Sequence, residues 1–499
     1  MRRLLTLLLA LLLALPPVRA QQNLPALGDG LELSLAAERK LGDRIARELY
    51  RSPDYLDDAV LQAYVQGIWD RLLQAAQQRG ELSAEMRERY AWDVLLGRDA
   101  TVNAFALPGG YIGVHLGLIA AVENEDELAS VLAHELSHVT QRHIARMIGR
   151  QNNQAPWLLG AMILGALAAG SNPNAAGALI VGGQAAAVQG QLNFSRDMER
   201  EADRVGYGVM TEAGYAGQGF VTMFEKLQQA NRHNDTGAFP YLRSHPLTTE
   251  RIADMQARQQ LLPAAPVHTT MLHAMLAARA RVLARPEVDH LRAAAGQADA
   301  ADTATLAAIA QAGVLYGATL AAMQLREYER AQRALLRLRA LTQGDAQAAV
   351  QWRWLAAELA QARGRPEEVL QLLDGLPAAP DALATRPTLL LRAAARVDSG
   401  QARQAAESLQ VWLAAHPRDA LAWLALARAY AAQGLAVQAI RAEAEAAAAR
   451  LDYPAARDRL QAAQARIQQG AAIDHIEASI IDSRRREIES LLREQALER

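Results

Sequence analysis

Five consecutive residues, His134-Glu135-Leu136-Ser137-His138, have the types and the spacing for metal-assisted hydrolysis. In a helix, positions four apart are rotated by only about 40° around the axis, so the two imidazoles stand one above the other and can grip one ion. Zinc is the ion favoured by two histidines, a carboxylate and an open position. Glu135 lies on a neighbouring face, where its carboxylate can take a proton from water without itself occupying the ion. The H-E-x-x-H pattern supplies two ligands and a base, and it requires a third ligand from elsewhere in the chain.

Further along, Ser195 reads as the N-cap of a second helix, with Asp197 and Glu199 in its positive first turn. Glu199, Ala202, Asp203 and Gly206 share one face of that helix, whereas Glu201 lies nearly opposite Glu199. Glu199 can therefore complete the ligand set. Asp203, one turn on, can accept from the outer ring nitrogen of a ligating histidine and orient it. His143 points away from the clamp on a continuous helix and reads as a surface or packing histidine.

The clamp must sit mid-helix, and the sequence puts it there. Leu128, Leu132, Leu136 and Val139 give the stretch from Asn124 to Met147 a buried side, and Asn124 with Glu127 three residues later reads as an N-cap with a capping-box partner. Apolar spacing predicts two earlier helices, 35–50 and 57–78. Alternation at Tyr90, Trp92, Val94 and Leu96 predicts a strand, and Val102–Leu107, Pro108-Gly109-Gly110 and Tyr111–Val114 read as strand, turn and returning strand. In zinc peptidases with such a helix, an edge strand beside the metal pairs with extended substrate. Asn103, Ala104 and Phe105 are the candidates for that strand.

At 499 residues the chain predicts two or more domains, and its richness in alanine and leucine favours helices. A net charge of −2 gives no electrostatic case for a nucleic-acid partner. Residues 1–20 read as a signal peptide: Arg2 and Arg3, an apolar Leu4–Leu15, and a small-residue cleavage site before Gln21. With no cysteine, neither a disulfide framework nor a lipidated N-terminal cysteine is available. From Gln151 to Ser195 no residue is charged. Its two apolar runs are too short to span a bilayer; they either pack as a helical hairpin over the site or present an apolar surface to unfolded substrate or, as peripheral membrane contact through 156–190, to a membrane.

From about Pro263 the pattern is helix after helix. Leu389, Gly400, Ala405 and Pro417 are echoed at Trp423, Gly434, Ala439 and Leu451, a spacing of 34 residues that matches the tetratricopeptide period. Less regular copies run from Trp354 and Tyr316, for about four hairpins, followed by a charged helical tail. The expected fold is mainly α (α+β): a zincin-like metallopeptidase domain with a small β-sheet, then an α-helical tetratricopeptide-repeat solenoid. The expected divisions are 1–20 signal peptide, 21–262 metallopeptidase domain, 263–470 repeats and 471–499 charged helix.

The clamp, together with Ser195-Arg196-x-x-Glu199-x-Glu201-Ala202-Asp203 and Ser244-His245-Pro246-x-x-x-x-Arg251-Ile252, resembles the M48 family of metallopeptidases, in its periplasmic branch with a helical-repeat domain. The resemblance implies one Zn2+ per chain, held by His134, His138 and Glu199, with Glu135 as general base. It also implies that His245 can approach the zinc as a fourth ligand in a latent resting state. By the same resemblance the protein is a periplasmic endopeptidase. Its partners would be unfolded or misassembled outer-membrane β-barrel proteins and the β-barrel assembly machinery. A different class of function remains: a chaperone or scaffold in which the repeats do the work and the zinc site stays closed. Arg251 matches the family pattern, but spacing assigns it no role.

Overall fold

A computed structural model describes residues 33–150, 195–232, 239–260, 269–376, 382–469 and 475–497. The expected signal peptide, the apolar runs after Gln151 with their membrane contact, and the expected divisions at 262/263 and 470/471 lie outside the described residues. Among the described residues no helix is long and apolar enough to cross a membrane.

The N-terminal half is built around a four-stranded sheet. Helix α1 (Leu35–Arg51), capped by Ser34, leads into β1 (Tyr55–Leu56), and Asp58 caps α2 (Ala59–Gln78). Helix α3 (Ala84–Arg89) precedes β2 (Asp93–Gly97); β3 (Ala104–Leu107) and β4 (Tyr111–His115) form a hairpin through Pro108–Gly110. The order is β1-β2-β4-β3, with β2 and β4 parallel and the other pairs antiparallel, so β3 is an edge strand. Helix α4 (Leu116–Ala121) then leads to the clamp helix α5 (Glu125–Thr140), which is buried from Glu127 to Thr140.

Asn124 caps α5 through Glu127 N–H at 2.9 Å, but the Glu127 carboxylate reaches back to Glu123 N–H rather than to Asn124, and also pairs with Lys226. The helix does not continue to Met147. It stops at Thr140, and α6 (His143–Arg150) starts after a reversal in which Arg142 takes a left-handed φ of 54°. Glycine normally occupies that helix-ending position, because a side chain there costs about 1–2 kcal/mol. The cost is offset by the Arg142 guanidinium, which pairs with the buried Glu38 carboxylate at 2.6 Å and donates to Leu33 O.

Helix α7 (Arg196–Glu212), capped by Ser195, packs along α5. Gly206 permits the close approach: a Cβ there would sit 3.1 Å from the backbone of Ala133 and His134. Helices α8 (Gln218–Arg232), α9 (Tyr241–Ser244) and α10 (Thr249–Gln260) complete this half.

The C-terminal half is a series of helical hairpins: 308–324 with 328–342, 346–362 with 366–373, 382–398 with 402–415, and 420–432 with 436–449. In each, the residue two past the first helix is left-handed: Arg326, Gly364, Gly400 and Gly434. The last helix, His475–Leu497, buries Ile481 and Ile488 against the helices before it. The two halves share a core, since Leu276, Trp354, Val369 and Ala395 belong to the same buried cluster as Trp69, Leu132 and Leu136. Buried arginines tie them further. Arg279 spans Asp58 and Glu358, each at 2.7 Å, and Arg386 joins Asp57 at 2.9 Å to Asp419 at 2.8 Å.

Replacing Arg279 by methionine leaves two half-buried carboxylates without their buried cation, a loss that costs up to about 3–5 kcal/mol. The expected outcome is a lower urea midpoint for unfolding of the N-terminal half as well as the helical half, followed by tryptophan fluorescence.

Candidate metal centre

The sharing of one face by residues four apart holds in the folded chain. His134 Nε2 and His138 Nε2 are 3.0 Å apart, and Glu199 reaches them from α7, with Oε2 3.6 Å from the first and Oε1 3.4 Å from the second. His245 comes from the end of α9: its Nδ1 lies 3.3 Å from His134 Nε2 and 3.0 Å from Glu199 Oε1. One donor atom from each of the four residues falls within 4.8 Å of every other. Four ligands held tetrahedrally at about 2.0–2.1 Å from an ion stand about 3.3 Å from one another. The observed separations match that figure, so this group could hold a metal ion.

Glu135 lies between the edge strand and His245. Its Oε2 accepts from the Ala106 N–H of β3 at 2.9 Å, and its Oε1 faces His245 Nε2 at 3.3 Å. His245 thus stands between the carboxylate and the ligand cluster, stacked on Tyr241 with ring centroids 4.6 Å apart. All five residues are at most 2% exposed, so nothing the size of a peptide reaches the cluster while His245 is in place.

Asp203 Oδ1 lies 2.9 Å from His134 Nδ1. Its carboxylate is gripped by both arms of Arg251, at 2.6 and 2.7 Å, and Arg251 Nη1 also reaches Glu199 Oε2 and Pro246 O, each at 2.8 Å. The role that spacing could not assign to Arg251 is therefore to join two carboxylates to the His245 loop. His143 is a buried histidine, but it does not point away from the clamp. The reversal at Arg142 turns it back into the core, with Nδ1 2.8 Å from His138 Nδ1 and Nε2 3.0 Å from Glu201 Oε2. No glycine, proline or other breaker marks the reversal, so the sequence carries no signal for it.

The charges follow from these contacts. Burial alone would lower His134, but hydrogen bonds to Asp203 and Glu199 outweigh it and raise it to about 9. His138, with less carboxylate contact, is pushed well down by burial. Burial opposes ionisation of Glu199 and Asp203, yet His245 with the clamp histidines, and Arg251, respectively hold them below the usual carboxylate range. Glu135, in contrast, is raised by burial, as a proton acceptor working near neutral pH should be. His143 is held down at about 4 by burial and is neutral.

The three candidate strand residues lie beside this centre. Ala104 and Phe105 are in β3, and Asn103, just before it, accepts from His115 N–H at 3.0 Å. Asn103 thus faces β4 while Ala106 donates outward to Glu135, so by alternation the backbone groups of Ala104 and Ala106 make the open edge on the Glu135 side. An apolar groove of about 890 Å³ lies elsewhere, between α2 and the helical half, lined by Tyr64, Ile68, Leu276, Trp354, Leu389 and Trp412.

The family model described as peptidase family M48 matches residues 60–259. The chain is 32% identical over 442 residues to the β-barrel assembly-enhancing protease of Escherichia coli (strain K12), covering 86% of this chain and 85% of that protein. It is 29% identical over 432 residues to the protein of the same name from Yersinia pestis, with the same coverage of 86% and 85%. Over 200 residues it is 26% identical to the mitochondrial metalloendopeptidase OMA1 of Saccharomyces cerevisiae, covering 39% of this chain and 55% of that one.

Removing the acceptor behind a ligating histidine typically costs about 10–100-fold in metal affinity. Asp203→Ala is expected to weaken metal binding by about that factor, read by equilibrium dialysis.

Proposed function

This chain belongs to peptidase family M48 and is a metalloendopeptidase, and from that premise we propose a zinc enzyme of the periplasm that acts on unfolded or misassembled outer-membrane β-barrel proteins. The observation that carries the reading is the convergence of His134, His138 and Glu199 beside the buried carboxylate of Glu135. Two imidazoles and a carboxylate are a zinc donor set. The substrate class rests on the names of the bacterial relatives, and export on the signal peptide read at 1–20.

The chemistry that zinc supplies when bound is Lewis acidity toward a carbonyl and acidification of water. Glu135 takes the proton of the attacking water and returns it to the leaving nitrogen. The open edge of β3 at Ala104 and Ala106 aligns an extended substrate chain by main-chain hydrogen bonds, which reads little side-chain identity and suits misfolded clients. Asp203 keeps the His134 ring oriented, with Arg251 holding Asp203. His245, as the fourth member of the cluster, keeps the resting enzyme latent, and it must leave before Glu135 Oε1 can face water. The apolar groove against the helical half, with Trp354 and Trp412 in its walls, supports a role for the repeats in binding substrate or assembly machinery.

The test is cleavage of an unfolded protein by wild type, Glu135→Gln and His245→Ala, with zinc content measured for each. Glu135→Gln is expected to keep its zinc and lose turnover by about 10²–10⁴-fold; His245→Ala is expected to cleave faster than wild type. If all three hold zinc and none cleaves, even with an outer-membrane β-barrel substrate, the closed-site scaffold replaces the protease reading.

A further inference from the structure

The outer ring nitrogens of the two clamp histidines are held in different ways. His134 Nδ1 meets a carboxylate directly, Asp203 Oδ1 at 2.9 Å. His138 Nδ1 instead meets another imidazole, His143 Nδ1 at 2.8 Å. The far nitrogen of that second ring, His143 Nε2, lies 3.0 Å from Glu201 Oε2, and Arg146 Nη1 holds the same oxygen at 2.9 Å.

Each contact in this row constrains the next. A carboxylate only accepts, so His143 donates to Glu201 through Nε2–H, and with that one ring proton placed its Nδ1 is a lone pair. That lone pair accepts from His138 Nδ1–H, which leaves His138 Nε2 as a lone pair. Nε2 is the atom that faces His134 and Glu199. With the opposite tautomer, His138 would present an N–H to the cluster and could not ligate. The reversal at Arg142 is what brings His143 behind His138, and Arg146 lies one turn further along the same helix, on the side that faces Glu201.

We propose that Glu201 and His143 are positioning residues that together set the ring tautomer of His138 as a metal ligand, with Arg146 anchoring Glu201. The inference rests on the zinc reading above and adds the device that prepares the second histidine. It gives Glu199 and Glu201, both in the N-terminal part of α7, separate tasks, Glu199 inside the cluster and Glu201 behind the clamp.

Two isosteric replacements separate this role from packing. His143→Asn keeps an acceptor where Nδ1 was, whereas His143→Gln places its amide where Nε2 was and removes the acceptor at the Nδ1 position. Zinc affinity, read by competition with a chromophoric chelator, is expected to fall by about 10–100-fold in His143→Gln and Glu201→Ala and to stay within about threefold of wild type in His143→Asn. Any other order overturns the proposal, including equal losses in both His143 variants or no loss in Glu201→Ala. A measurement without substitution covers the case of misfolded variants: ring-nitrogen NMR of ¹⁵N-histidine-labelled, metal-free wild type should show His138 protonated on Nδ1. A proton on Nε2 overturns the proposal. Wild type that binds no zinc at all would instead refute the functional reading, and the ring-nitrogen result would still decide the tautomer.

Discussion

Arg251 is the fixed point of the centre. One buried guanidinium grips both oxygens of Asp203, touches Glu199 and donates to the loop carbonyl of Pro246. A buried carboxylate is tolerated only when paired and hydrogen-bonded, and here three carboxylates, Glu135, Glu199 and Asp203, lie within one small volume against a single arginine. The excess of negative charge draws cationic character into the cluster: His134 is raised to about 9 although burial alone would lower it. A divalent cation answers the same imbalance, and the ligand spacing fits one. Because Arg251 also holds the loop that carries His245, the charge balance of the cluster and its closure depend on the same side chain.

Closure is a matter of position as well as charge. His245 stacks on Tyr241, whose N–H donates to Val102 O at the entrance to β3, so the loop is tied to the strand whose open edge faces Glu135. That sheet is in turn clamped by the helical half. Arg418 reaches Asp93 at the start of β2 at 2.6 Å and the Tyr111 hydroxyl at the start of β4 at 3.3 Å. The repeats are therefore joined through a partly exposed ion pair to strands of the sheet that borders the centre. A ligand that binds the helical half can act on those strands through such contacts and through the shared core, because coupling needs a physical connection that differs between two states.

Much of the centre was legible in the sequence because its pieces are periodic. The clamp needs residues four apart, the ligand helix needs Glu199, Ala202, Asp203 and Gly206 on one face, and both patterns survive folding unchanged. The hairpin around Pro108–Gly110 was legible from turn chemistry, and the helical half from its 34-residue repeat, in which Gly400 and Gly434 correspond. Two things were not legible. The break after Thr140 depends on Arg142 finding Glu38, a partner more than a hundred residues away, and nothing local to Gln141-Arg142 announces it. The role of Arg251 depends on α10 lying beside α7, which spacing along the chain does not encode. In both cases an arginine adopts a place fixed by a distant carboxylate, and periodicity is blind to that.

The break at Arg142 has a consequence for how precisely the clamp is built. On an uninterrupted helix, His143 would stand about 500° on from His138, well off its face, and the outer nitrogen of His138 would need a partner from another element. Asp203 cannot serve, since Arg251 and His134 already take its oxygens. Glu201 points to the correct side but its carboxylate meets His143 rather than His138. By reversing the chain at the end of the clamp helix, the fold inserts an imidazole into that gap and converts a glutamate on the wrong face for ligation into the far end of a hydrogen-bonded row. The strained residue and the buried histidine are thus parts of one solution: α7 supports both clamp histidines, one directly through Asp203 and the other through a ring supplied by the clamp's own continuation.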